Sequence, residues 1–253
     1  DTVDGGAGDD TFLIVEEGYG SDNDVITGGE TEETVGDTID TTDIDDNLTV
    51  DFTAPEEGTI TDGDDTTTFE EIENIQLGGG DDTVTGSDGN ENVDGGGGND
   101  TMDGGDGADT LSGGSGEDTI DGGAGDDVLD GGAGDDTITG GDGADTVTDL
   151  DGDNVIDASG SDPHLDDKNG DGFGFAPYGP LPPAPRDLDE GNDADSVTTG
   201  DGNDSITTGD DADTIVSGGG NDTIDSGIDN DSVDAGAGND LITTGEGADT
   251  VLG

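Results

Sequence analysis

One aliphatic residue returns every ninth position, and that period limits what this chain can become. From Leu77 to Thr148 the sequence divides into eight nonapeptides without an insertion. The clearest are Gly104–Ser112 (GGDGADTLS), Gly113–Asp121 (GGSGEDTID), Gly122–Asp130 (GGAGDDVLD) and Gly131–Thr139 (GGAGDDTIT). Position 6 carries Asp82, Glu91, Asp100, Asp109, Asp118, Asp127, Asp136 and Asp145, and position 8 a Val, Met, Leu or Ile. A second array of seven runs from Glu190 to Leu252, with Asp195, Asp204, Asp213, Asp222, Asp231, Asp240 and Asp249 at position 6. Asp1–Leu13 holds the end of one repeat and a full one, GGAGDDTFL, with Asp10 at position 6. A tract merely rich in Asp and Gly would not hold one aliphatic in phase for so long.

The period implies a local shape. Glycines at positions 1, 2 and 4 permit the positive φ of a tight loop. Positions 7–9 read polar–aliphatic–polar, a very short strand with one inward side chain. Composition then becomes decisive, because only 25% of the 253 residues are hydrophobic and the net charge is −68. Such a balance belongs with disordered chains. One buried aliphatic per nine ordered residues is too little to hold a roll, and stacked position-6 carboxylates repel one another. A dication between them reverses that sign. Calcium suits the task because it accepts many oxygens, loop carbonyls included, in irregular geometry. Folding and metal binding are then one event.

The pattern G-G-x-G-x-D-x-U-x, with U a large aliphatic, resembles that of the repeats-in-toxin (RTX) family. The resemblance implies an all-β fold: a right-handed parallel β-roll with two repeats per coil, and calcium between stacked loops at around one ion per repeat. It makes the position-6 acids the side-chain ligands, with Glu91 a departure because it is longer than Asp. It assigns carbonyl ligands to alternate loop positions: Gly105 and Gly107, Gly114 and Gly116, Gly123 and Gly125, Gly132 and Gly134. Members are exported by type I secretion, unfolded in the low-calcium cytoplasm and folded outside. Calcium at that ratio would supply only about 30 positive charges. The acid left over points to a salty exterior where ions screen self-repulsion.

Composition also excludes partners. Nucleic acid and anionic membrane are poor matches for a polyanion with 70 acidic and 2 basic side chains. The longest apolar run, Phe12–Val15, is far too short for a membrane span. Zero cysteines exclude disulfides and thiolate sites, and the lone His164 argues against a zinc site or a His-based triad.

The second array is not a copy of the first. Its position 1 reads Glu190, Thr199, Thr208, Ser217, Ser226, Ala235 and Thr244. Asp193, Asp211 and Asp229 replace glycine at position 4, either because Asp tolerates left-handed backbone or because extra carboxylates alter coordination or bridge to a neighbour. Flat ranks of threonine are missing, which argues against ice binding.

Five segments follow: 1–13, the end of an array; 14–76, a non-repeat β-rich cap; 77–157, the first roll; 158–189, a Pro/aromatic insert; and 190–253, the second roll. Within 14–76, Leu48–Phe52 and Gly58–Thr61 are expected to pair as a hairpin. Asp149–Asp157 is a decayed repeat with Asn154 at position 6, after which the stack is expected to break. The insert contains Asp167-Lys-Asn169-Gly-Asp171-Gly172, which resembles the start of an EF-hand calcium loop, although the twelfth position is Tyr178 rather than Glu.

Two functions fit. One is a calcium-stiffened extracellular or cell-surface structural or adhesive protein, associating end to end or with matrix. The other is the carboxy-terminal secretion and folding module of an enzyme or toxin whose catalytic domain lies elsewhere. An enzyme within these residues is not expected, since carboxylates without basic partners read as ligands or solvated face. The chain begins at repeat position 6 and ends one residue into a new repeat, as a fragment of a longer protein would.

Overall fold

A computed structural model describes residues 2–14, 24–29, 36–159, 194–209 and 211–253. Their regular elements are strands, gathered into a 13-stranded and an 11-stranded sheet with a separate two-stranded pair. Strand Thr101–Gly105 pairs in parallel with Thr119–Ala124, aligning Met102 with Ile120. In the other sheet Thr110–Ser115 pairs with Val128–Ala133, aligning Leu111 with Leu129. Successive repeats therefore feed opposite sheets, and one coil is two repeats. The fold is the parallel β-roll that the resemblance implies, built on the short strands that the period predicts.

Strand alternation decides what fills the roll. Position 8 points inward, so Met102, Leu111, Ile120, Leu129 and Ile138 are fully buried in one core running between the sheets. Positions 7 and 9 face out, as with exposed Thr119 and Asp121 on either side of Ile120. The loops stack as closely as the strands. Gly107 has φ 142°, and a Cβ there would fall 1.7 Å from the carbonyl oxygen of Gly89.

The expected break after the first array does not occur. Thr146–Asp149 pairs with Ser196–Thr199, and Val155–Asp157 with Ser205–Thr207, setting Val147 on Val197 and Ile156 on Ile206. The second array continues both sheets because its repeats offer the same polar–aliphatic–polar strand to the waiting edge. Residue 159 ends one described coil, and residues 194 onward take up the next.

Segment 14–76 is likewise not an end cap. The hairpin forms, with Thr49–Ala54 antiparallel to Glu57–Thr61. However, Thr2–Asp4 pairs with Asp24–Thr27, and Thr11–Leu13 with Thr38–Asp40, so the first repeats sit on the far side of the segment. Strands Asp24–Thr27, Thr38–Asp40 and Asn74–Gln76 occupy ordinary places in the two sheets. The hairpin and Thr66–Glu70 make a meander in the larger sheet, its interior filled by Phe52 and Phe69 edge to face, 5.3 Å between centroids.

Candidate metal centre

Stacking coils places each position-6 carboxylate over the backbone of the coil before it. Asp118 Oδ1 accepts the N–H of Asp100 at 2.7 Å, Asp127 that of Asp109 at 2.8 Å, and Asp136 that of Asp118 at 2.7 Å. The same bond joins Asp82 to Asp100, Glu91 to Asp109 and Asp127 to Asp145. It crosses the insert, from the N–H of Asp145 to Asp195 at 2.8 Å and from that of Asn154 to Asp204 at 2.9 Å. It then runs on through Asp213, Asp222, Asp231, Asp240 and Asp249. The ladder explains the choice of Asp: one methylene sets the oxygen at the height of the neighbouring amide. Glu91 is too long for this, and its Oε1 instead accepts the hydroxyl of Ser87 in its own loop at 2.7 Å.

The ladder satisfies only one oxygen of each pair. The Oδ2 atoms of Asp10, Asp82, Asp100, Asp109, Asp118, Asp127, Asp136 and Asp222, and Oε2 of Glu91, are buried without a hydrogen-bond partner. Burial raises the carboxyls of Asp118, Asp127 and Asp136 above the usual range. Burial, with neighbouring acids adding to it, takes Asp100 and Asp109 to about 7.

At Gly95, Gly104, Gly113 and Gly122 of the first array these oxygens meet a carbonyl of the next coil. A Cβ on Gly95 would lie 2.4 Å from Asp100 Oδ2 and 2.7 Å from Gly113 O. On Gly104 the distances are 2.4 Å to Asp109 Oδ2 and 2.5 Å to Gly122 O, and on Gly122 they are 2.4 Å to Asp127 Oδ2 and 2.6 Å to Gly140 O. The paired oxygens therefore lie no more than about 5 Å apart, a separation that one calcium ion with contacts of about 2.3–2.6 Å can bridge. Among the described residues no three acidic or His side chains converge on one point. A cation here thus draws on carbonyls as much as on carboxylates, which suits calcium better than softer metals. The carbonyls of Gly105, Gly107, Gly114 and Gly116 point along the stack, 2.0, 1.6, 2.2 and 1.5 Å from where a Cβ would stand on Gly123, Gly125, Gly132 and Gly134. The carbonyl facing the carboxylate belongs to position 1, which the sequence did not single out.

Position 1 is also where the arrays part. Thr199, Thr208, Ser217 and Ser226 are buried in the second array. The Ser226 hydroxyl donates to Asp231 Oδ2 at 2.7 Å, and that of Thr199 to Ser217 O at 3.0 Å. For Asp213, burial raises the carboxyl to about 7 even though the Thr208 hydroxyl pulls the other way. Hydroxyls here stand where the first array, after Leu77, has glycine from Gly86 to Gly140. Asp211 and Asp229 take φ 72° and 74°, so the left-handed role for Asp at position 4 is realised at both. Asp193 lies outside the described residues, as do Asp167, Asn169 and Asp171 of the EF-like loop.

Sequence periodicity also missed Asp37. It is fully buried, accepts the N–H of Asp10 through Oδ1 at 2.7 Å, and leaves Oδ2 without a hydrogen-bond partner. Asp37-Thr-Ile-Asp40 repeats the tetrapeptide of Asp118–Asp121, a signal hidden by the irregular spacing around it.

The chain matches the RTX calcium-binding nonapeptide repeat over residues 1–13, 68–102, 103–138, 139–162, 191–224 and 225–253, well over half its length. It belongs to that family. RTX repeats bind calcium, roughly one ion per repeat, and form a structural rather than catalytic module of the type found in secreted proteins. No curated protein gives a significant match. Among the described residues no helix is long and apolar enough to cross a membrane.

Proposed function

We propose that this chain is an extracellular structural or adhesive element whose coils are joined by calcium. The row of buried carboxylate oxygens without hydrogen-bond partners carries this reading. Unpaired charge in a thin core is costly, and a divalent cation shared between coils relieves it. In the first array the ligands are Oδ2 of Asp100, Asp109, Asp118, Asp127 and Asp136, with position-1 carbonyls and those of Gly105–Gly134 completing the shell. Asp82, Glu91, Asp145 and the second-array acids Asp195 to Asp249 play the same part at their levels. Asp10 and Asp37 extend the row towards the amino terminus.

Domain limits at 13, 76, 157 and 189 are functional rather than structural in this reading. The described strands of the two arrays form one continuous stack, and the EF-like loop at Asp167–Asp171 of the insert is a further calcium candidate. The scarcity of basic and aromatic side chains supports a spacer rather than an enzyme, with neither nucleic acid nor membrane as partner. Calcium-dependent folding supports export before folding. The test is circular dichroism of the metal-stripped chain. Coil at neutral pH, converting cooperatively to β structure in millimolar calcium, is the expected result. A full β spectrum in chelator, unchanged by calcium, would refute it.

A further inference from the structure

The decayed repeat before the insert is not merely degenerate. Its position 6 is Asn154, whose Oδ1 keeps the ladder bond to the N–H of Asp136 at 2.9 Å, while its Nδ2 is buried without a partner. Its position 1 is Asp149, where the two coils before it have Gly131 and Gly113. The repeat has therefore moved its carboxylate from position 6 to position 1. Asp149 is 0% exposed, and neither of its oxygens has a hydrogen-bond partner at ordinary geometry, the main-chain N–H of Asp151 being the one donor that acts on it.

The side chain reaches back into the preceding coil. A Cβ on Gly131 would lie 2.5 Å from Asp149 Oδ2 and 2.7 Å from Asp136 Oδ2. At Gly95, Gly104 and Gly122 the two oxygens nearest the corresponding place are one from a carboxylate and one from a carbonyl. At Gly131 it holds two carboxylates facing each other. Asp149 also pairs with Thr199, the first of the second array's position-1 hydroxyls in its column. It stands between the glycine-lined and hydroxyl-lined stretches, on the coil to which the second array docks.

We propose that Asp149 and Asp136 form a distinct two-carboxylate calcium site at the seam between the arrays, tighter than the one-carboxylate sites around it. The proposal rests on the calcium reading above. Two facing carboxylate oxygens, Oδ2 of Asp149 and Oδ2 of Asp136, each without a hydrogen-bond partner, call for a positive charge between them, and added ligand charge is what lowers a calcium dissociation constant. An ion there fixes the last coil before the insert, so that strands Thr146–Asp149 and Val155–Asp157 offer an ordered edge to the returning chain.

The test is calcium titration calorimetry on the full chain, with metal content measured after desalting. Asp149→Asn should lose one ion per chain and the tightest phase, its dissociation constant rising about tenfold or more. Asp149→Gly restores the glycine of the earlier coils, so it keeps the result readable if the amide variant folds poorly, and it should lose the same ion. Both variants retaining the wild-type count and tightest phase would overturn the proposal. So would an Asp149→Asn chain that gains stability at unchanged metal content, since the pair would then share a proton. If the wild-type chain takes up no calcium, the broader reading falls too; if only the Asp149 variants are silent, the seam site falls alone.

Discussion

Asp127 and Asp109 are joined across one coil: the carboxylate of the first accepts the main-chain N–H of the second at 2.8 Å, while its other oxygen is buried without a partner. One side chain thus serves backbone and metal at once, and the two roles separate by substitution. Asp127→Asn keeps an acceptor for the amide but removes the charge, whereas Asp127→Ala removes both. Both should raise the calcium midpoint seen by circular dichroism, the alanine variant further, with a further loss of about 1–3 kcal/mol for the stranded amide. An unchanged midpoint in both would remove Asp127 from the ligand set.

Acid should fold the metal-free chain. Burial, with neighbouring acids, raises Asp100 to about 7 and Asp149 to about 8, and burial takes Asp82 to about 6, from an ordinary 3.8. The folded form then binds protons that the unfolded form has released. The penalty is absent below about pH 4 and grows as pH rises through 6–8. Metal-stripped protein should show more β signal at pH 4.5 than at pH 8. Calcium-loaded protein should show the reverse trend, because protons compete with the ion. Ellipticity of both forms across this range checks the sign.

The two arrays should answer calcium differently. Hydroxyls of Thr199 and Ser226 supply hydrogen bonds where glycine offers none. Hydrogen exchange of the whole chain, read by mass spectrometry, should show peptides spanning 199–235 protected at lower calcium than those spanning 95–145. Simultaneous protection would mean that the hydroxyls do not substitute for metal.

The insert should be removable. Ladder bonds span 18 residues within an array but 50 across the junction, as from Asp145 to Asp195. Deleting residues 160–191 restores the shorter offset and keeps the repeat in phase. The shortened chain should retain a cooperative calcium transition. Loss of that transition would show that the insert takes part in joining the arrays.

Much of this was legible in the sequence because position 8 states the core and position 6 the ladder, each at fixed spacing. Ile120 and Asp118 needed only counting. What counting missed has a physical cause. Asp37 sits in a repeat whose loops have grown, so geometry is kept where period is lost. Continuity of the stack past Ala158 was hidden because strands pair by edge and register, not by distance along the chain. Asp149 read as decay because position 1 carries no side chain in most coils, and its value lies in the coil it reaches.

Every rung leans the same way. Each ladder aspartate braces the coil before it and none braces the coil after, so damage at a single level has a direction. A lesion at Asp136 frees the amide of Asp118 but leaves that of Asp136 itself held by Asn154. Unravelling from such a lesion should spread towards the amino terminus first, and the later coils should outlast it.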